Sequence, residues 1–282
     1  MKKTVTRFAE NDLKQFEPEA KVGLIATINQ EGLPHITLIT ALQAKTPDKL
    51  IWGQFSEGQS KQNVKTNPKT GFLIMTLDRN LWRGKALWTH LETEGEAYEM
   101  YNQKPMFRYN AYFGIQTVHF MNVVEAVARE RLSLARIVLG SLATRAAKAG
   151  AKAAGKDRIL KPWAEGLFNR MDSLKFIGYV GHDGFPTLIP LIQCQAAGPR
   201  RLAFFPYPYG EDLAAIEEGM QVAVFVLSMQ MEDVLVRGTF LGYERSRLQR
   251  LGVIQLEWVY NSMPPVPGQI YPPLELEPVV NF

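Results

Sequence analysis

The chain has one cysteine, Cys194, in 282 residues, so no intrachain disulfide can form and a reducing compartment is the natural reading. No uninterrupted apolar run approaches the ~18 residues that a membrane-spanning helix needs. The opening MKKTVTRFAENDLKQF places no apolar segment behind its two lysines, unlike a secretory signal. These absences predict a soluble, cytoplasmic protein with no membrane partner. Histidines 35, 90, 119 and 182 are scattered without HxH or HxxxH spacing, so no metal site is predicted. No Gly-x-Ser-x-Gly elbow, Walker loop or Rossmann fingerprint occurs. The net charge of +4 is too small to call for a nucleic-acid partner.

What charge there is has a place. Nine Lys or Arg fall between Arg129 and Lys161, opposed only by Glu130 and Asp157. Leu134, Ile137, Val138, Ser141 and Leu142 follow helical spacing there, and SLATRAAKAGAKAAGK is rich in helix formers. Gly150 and Gly155 weaken the helix and Pro162 marks a break. Arg145, Lys148, Lys152 and Lys156 recur at helical spacing and read as a solvated face, with a stripe facing an acidic membrane or nucleic acid as the alternative.

On either side of this insert the chain repeats. Shifted by 152 residues, Gly32 meets Gly184, Pro34 meets Pro186, Gln43-Ala44 meets Gln195-Ala196, and Pro47, Leu50 and Gly58 meet Pro199, Leu202 and Gly210. The matches fall mostly on turns and strand edges, where a shared backbone path limits the choice of residue. Each half reads as an apolar strand (Val22–Ile28; Phe176–Val180), a Glu-Gly or Asp-Gly turn, and a second strand (Ile36–Leu42; Leu188–Cys194). A short strand (Leu50–Trp52; Leu202–Phe205), a short helix and a further apolar run (Thr70–Leu77; Val222–Leu227) follow. Closing strands are expected at Ile115–Val124 and Ile254–Tyr260, with another β-rich stretch around residues 93–99. Arg83 and Lys85 are placed in a long hairpin absent from the second half and read as a solvated loop. Many short strands with little helix indicate small barrels. The expected organisation is a barrel over 1–124, a helical insert over 125–172, and a second barrel over 173–282 ending in a proline-rich extended tail. The fold class is mainly β (α+β), two tandem split barrels forming a pseudo-dimer.

The segment WGQFSEGQSKQNVKTNP, residues 52–68, carries the chemistry. A strand ends near Trp52, a polar loop follows, and a helix begins near Ser60. A helix N-terminus offers free N–H groups and partial positive charge to a phosphate; Ser60 adds a hydroxyl and Lys61 a full charge. Strand, loop, Ser-Lys-x-Asn, Asn-Pro, strand resembles the pyridoxamine 5′-phosphate oxidase-like FMN-binding split barrels, over most of residues 20–124 and more weakly over 174–260. The resemblance implies FMN, its phosphate at this loop and helix, and its ring at an interface between two barrels. Candidate contacts carried over are Gln54, Phe55, Ser56, Ser60, Lys61 and Asn63, with Thr37 and Thr40 on the strand that borders the ring. Family members often place a lysine eight residues before the proline. Here Ser60 holds that position and Lys61 is seven before Pro68, so the loop as a whole is implicated. The tail lacks the arginine-containing ending of true pyridoxamine phosphate oxidases, which disfavours vitamin B6 oxidation.

At the matching helix the second half has Asp212 and Leu213, which repel or ignore a phosphate. It is therefore expected to have lost its own site and to serve as the partner barrel, with Tyr207, Tyr209, Trp258 and Tyr260 as aromatic cover; core packing is the competing role for Trp258 and Tyr260. The implied function is an FMN-dependent oxidoreductase taking an unknown small molecule and a reduced nicotinamide or other electron donor, with no catalytic side chain assigned. The alternatives are a flavin- or haem-binding storage protein of the same fold, or a deazaflavin-dependent reductase. The chain would act as a monomer if its halves complete one site, or as a homodimer if first halves pair.

Overall fold

The computed structural model describes residues 3–18, 20–54, 57–104, 114–153, 157–246, 249–261 and 268–273. It divides into two compact units, Met1–Ser133 with Gly178–Leu188, and Leu134–Ile177 with Ile189–Phe282.

The first unit runs β1 (Thr4–Val5), α1 (Glu10–Leu13), β2 (Lys21–Ile28), β3 (Pro34–Leu38), β4 (Gln43–Thr46), β5 (Lys49–Gln54), α2 (Gln59–Thr66), β6 (Lys69–Thr76), β7 (Asn80–Glu92), α3 (Glu96–Gln103), β8 (Thr117–Val127) and β9 (Glu130–Arg131). Its antiparallel sheet has the order β3-β2-β6-β7-β8-β5-β4, with β1 on β8 and β9 on β7. Alternate residues of these strands face inward: Ile25, Trp52, Phe72, Ile74, Trp82 and Met121 form one buried cluster. Such apolar burial is the main favourable term in folding.

The second half of the chain opens with α4 (Leu134–Ala147) and α5 (Pro162–Asn169). It continues through β10 (Leu174–Val180), β11 (Pro186–Pro190), β12 (Gln195–Ala196), β13 (Arg201–Phe204), α6 (Gly210–Leu213), β14 (Gln221–Leu227), β15 (Asp233–Ser246), β16 (Gln249–Asn261) and β17 (Gly268–Tyr271). Its sheet order is β11-β10-β14-β15-β16-β13-β12, which repeats the first sheet strand for strand. The repeat reaches the turns. Gly32 and Gly184 both take left-handed φ, 79° and 75°, in the first hairpin of each half, which only glycine adopts at little cost. After each second strand the same pair of bonds recurs: Ile39 N–H to Gly23 O with Leu42 N–H to Ile39 O, and Leu191 N–H to Lys175 O with Cys194 N–H to Leu191 O.

Those bonds correct the strand ends. The stretches 36–42 and 188–194 leave the ladder after Leu38 and Pro190 because their next amides turn back, so Thr40 stands in a turn and Cys194 in a buried turn rather than in strands. The stretch 93–99 is not a strand either. Gly95, at φ 99°, breaks the chain and α3 begins at Glu96, with Glu96 and Glu99 in the first turn where the helix dipole favours acid. Arg83 and Lys85 lie inside β7, not in a loop; Arg83 is buried against Glu130 (2.9 Å), and Lys85 pairs with Asp183 (2.8 Å) and Glu125.

The basic stripe does not form as read. α4 ends at Ala147 and tightens into a 3-10 turn over Lys148–Ala151 that includes Gly150. Lys148 turns its ammonium onto Asn169 Oδ1 (2.5 Å), Lys152 lies past the helix, and Lys156 is outside the described residues. Pro162 starts α5 at its first turn, where its missing N–H costs nothing. Within the proline-rich tail, Gly268–Tyr271 has no proline and pairs with β16. Among the described residues no helix is long and apolar enough to cross a membrane.

Candidate phosphate loop and the buried histidine behind it

β5 delivers the chain to Gln54, and α2 starts five residues later with Gly58 as its N-cap in extended backbone. Phe55 and Ser56 fall outside the described residues. No side chain caps the helix; Lys61 N–H closes the first turn on Gly58 O at 3.2 Å, and the amides ahead of it have no side-chain cap acceptor. Asn67 closes α2, its N–H reaching Asn63 O at 2.8 Å, and its Oδ1 accepts from Lys69 N–H before β6.

Polar side chains fix α2 on the first hairpin. Ser60 and Thr37 hydroxyls hydrogen-bond to each other, and Asn63 Nδ2 donates to Thr27 Oγ1 at 2.9 Å. Gln59 Nε2 in turn donates to Asn63 Oδ1. Ser60, Asn63 and Thr27 are buried, so these bonds replace water that the groups have lost. The Thr37–Ser60 pair has two protons and uses one between its oxygens, leaving one to donate elsewhere. Thr40 shares the end of this hairpin, half-buried in its turn.

Lys61 is the unusual member. It is only 6% exposed, yet its ammonium has no hydrogen bond or ion pair with any described residue. The side chain folds back over the helix start, its Nζ 3.4 Å from where a Cβ on Gly58 would stand. Burial pushes its pKa below the usual lysine range, offset in part by the charge of Glu57. A buried cation without a partner is costly, and the cost falls when an anion comes to it.

Behind the loop stands a residue that sequence reading passed over. His119 on β8 is fully buried and stacks flat on Trp52. Its Nδ1 accepts the Trp88 indole N–H (3.1 Å), so the ring proton is on Nε2, which donates to Gln54 Oε1 at 2.8 Å. Thr117 Oγ1 donates to the same oxygen, and Gln54 Nε2 donates to Glu57 Oε1 at 2.9 Å. Gln54 is thus a connector between the buried histidine and the loop. Burial first, then the charges of Lys61 and Lys65, hold the His119 pKa down at about 3, so the ring is neutral at physiological pH. Histidine spacing along the chain carries no sign of this role; strand register does, putting His119 opposite Trp52. Among the described residues no group of three or more His, Cys, Asp and Glu is arranged to hold a metal.

The structure therefore gathers Thr37, Gln54, Ser60, Lys61 and Asn63 around one helix start. Tyr207 and Trp258 belong to the second unit. Tyr207 is exposed, with the Arg136 guanidinium 5.7 Å from its ring. The Trp258 ring stacks on Tyr260, lies under the Arg237 guanidinium at 3.8 Å, and donates its N–H to Gln269 Oε1. At the counterpart of α2 the second unit has the one-turn α6, with Glu211 and Asp212 in its first turn and Leu213 wholly buried.

No family model matches the chain, and no curated protein does. Solved structures do. The resemblance is to FMN-binding split barrels of the pyridoxamine phosphate oxidase type. An FMN-binding protein from Syntrophomonas wolfei subsp. wolfei is 15% identical, covering 43% of this chain and 84% of its own with a TM-score of 0.35. An F420 reductase is 16% identical over 44% of this chain and 99% of its own, TM-score 0.34. A pyridoxinephosphate oxidase family protein from Clostridium acetobutylicum, related to general stress protein 26, is 11% identical over 45% and 98%, TM-score 0.33. Each alignment spans less than half of the present chain.

Proposed function

We propose that the first unit binds FMN, holding its phosphate at the start of α2, and that the protein is a flavin-dependent oxidoreductase of a small molecule. The observation that carries this reading is Lys61, a buried ammonium with no hydrogen bond or ion pair to a described residue, folded over a helix start that no side chain caps. The donor set fits the group. A phosphate monoester has close to two negative charges at neutral pH and three acceptor oxygens. Around the helix start stand first-turn amides, the spare proton of the Thr37–Ser60 pair and the Lys61 ammonium.

When bound, the flavin supplies hydride or electron transfer at N5, with a reduced nicotinamide as the proposed donor. The chain's own residues bind and orient. Lys61 would set its ammonium against the phosphate, and Asn63 and Ser60 hold α2 on the β2–β3 hairpin so that the amides stay aimed. The His119–Gln54–Glu57 chain fixes the far side of the loop. His119 is committed to Trp88 and Gln54 through both ring nitrogens, which removes it as an axial ligand for haem. The same helix start would receive the phosphate of a deazaflavin, so cofactor identity rests on the bound molecule.

Replacing Ser60 and Lys61 together by alanine tests the site. Loss of a charged hydrogen bond and a neutral one predicts FMN affinity weaker by about a hundredfold, with circular dichroism unchanged. Unaltered FMN affinity in a folded double variant would refute the assignment.

A further inference from the structure

We propose that the outer face of α4 docks the protein on an anionic lipid bilayer, with the helix lying in the plane of the surface. The helix is turned inside out relative to an ordinary surface helix. Its inner face is small and polar: Gly140, Ser141, Thr144 and Ala147 are buried there with Ile137. Polar bonds fix that face to its own unit, with Phe205 N–H donating to Thr144 Oγ1 at 2.8 Å and Gln195 Nε2 to Ser141 O at 2.9 Å. A Cβ on Gly140 would come within 2.6 Å of Tyr207 O, so the close approach requires glycine. The outer face holds the large aliphatics. Leu134, Val138, Leu139 and Leu142 are 53%, 45%, 61% and 50% exposed; the four-residue steps 134, 138 and 142 align on one side, with Leu139 beside them. An apolar patch of this kind on one helix marks an interaction surface.

Charge selects the partner. No acidic residue occurs between Glu130 and Asp157 in the sequence. On α4 itself Arg136 and Arg145 are exposed and flank the aliphatics, and neither forms an ion pair with a described residue. Arg136 instead lies over the exposed ring of Tyr207, and an aromatic with a polar tip suits a membrane interface. Aliphatics shallowly buried between arginines that meet phosphates are the chemistry of an interfacial helix on anionic lipid. At 14 residues α4 is about 21 Å long, short of the ~30 Å hydrocarbon core, so it lies on a bilayer rather than crossing it. Nucleic acid would leave the four aliphatics exposed. A second copy paired by a two-fold axis would set the same arginines against each other with no acid on the helix to offset them.

The test is co-sedimentation of the full chain with vesicles of phosphatidylcholine alone and of equal phosphatidylcholine and phosphatidylglycerol, with analytical ultracentrifugation alongside. The chain should sediment with the mixed vesicles, be released by salt, and stay in solution with phosphatidylcholine alone. The double variants Leu139→Ser/Leu142→Ser and Arg136→Glu/Arg145→Glu should each lower partitioning by roughly tenfold or more while circular dichroism shows them folded. No sedimentation with the mixed vesicles overturns the proposal, as does equal binding to phosphatidylcholine alone. A dimer that Leu139→Ser/Leu142→Ser dissociates without changing vesicle partitioning would assign the face to self-association instead.

Discussion

The imidazole of His119 lies flat on the indole of Trp52, ring centroids 3.8 Å apart and planes within 6° of parallel. Strand register puts the two residues opposite each other on β8 and β5, and the same ring uses both nitrogens to tie Trp88 to Gln54. Replacing His119 by alanine leaves the Gln54 oxygen and the Trp88 N–H short of a buried partner and removes the stacked ring. A loss of about 2–4 kcal/mol is expected in denaturant unfolding. A loss under about 0.5 kcal/mol would show that the network does not support the barrel.

The same residue sets a pH dependence. His119 titrates at about 3 in the folded chain and near its ordinary 6.5 when unfolded. Between those values the unfolded state binds the extra proton, so stability falls as pH drops from about 6.5 toward 3, by up to ~1.4 kcal/mol per pH unit. Above about 6.5 the residue contributes no slope. His119→Gln should flatten the profile in that window; an unchanged slope between pH 4 and 6, values chosen to lie roughly inside it, would contradict the buried neutral ring.

Asn63 anchors α2 through Thr27, both of them buried. Asn63→Ala leaves the Thr27 hydroxyl without that donor and should cost about 1–3 kcal/mol. Gln62→Ala, one position away on the exposed side, should fall within about 0.5 kcal/mol of the parent. Thermal or chemical unfolding of the two variants separates an anchored helix from a loosely attached one.

Much of this was legible from residues alone. The duplication could be read at Gly32 and Gly184 because a left-handed turn restricts residue choice. The start of α2 could be read because Asn67-Pro68 ends it and Gly58 precedes it. Strand ends after Leu38 and Pro190 could not, because they are set by bonds back to Gly23 and Lys175, far away in sequence. The state of Lys61 was also out of reach, since its burial depends on the fold of its surroundings. Helical spacing found α4 but not which face turned inward. Leu134, Val138 and Leu142 shared a periodicity with Ile137 and Ser141, and packing chose the smaller set.

Cys194 supplies a check on the second unit. It is wholly buried, and burial pushes its thiol up to about 12, so almost no thiolate exists at neutral pH. An aromatic disulfide reagent should fail to label the native chain and should label one thiol per chain in denaturant. Rapid native labelling would show that the turn after β11 opens.

One phosphate site, at Lys61, is proposed to serve the whole duplicated chain. The most direct measurement is the absorbance spectrum of the purified protein after saturation with FMN and removal of excess, with the released ligand identified by mass. Flavin bands near ~370 and ~450 nm, one FMN per chain, and loss of both bands in Lys61→Met are the expected result. A protein that takes up no FMN, or one that holds it equally well without the Lys61 ammonium, would contradict it.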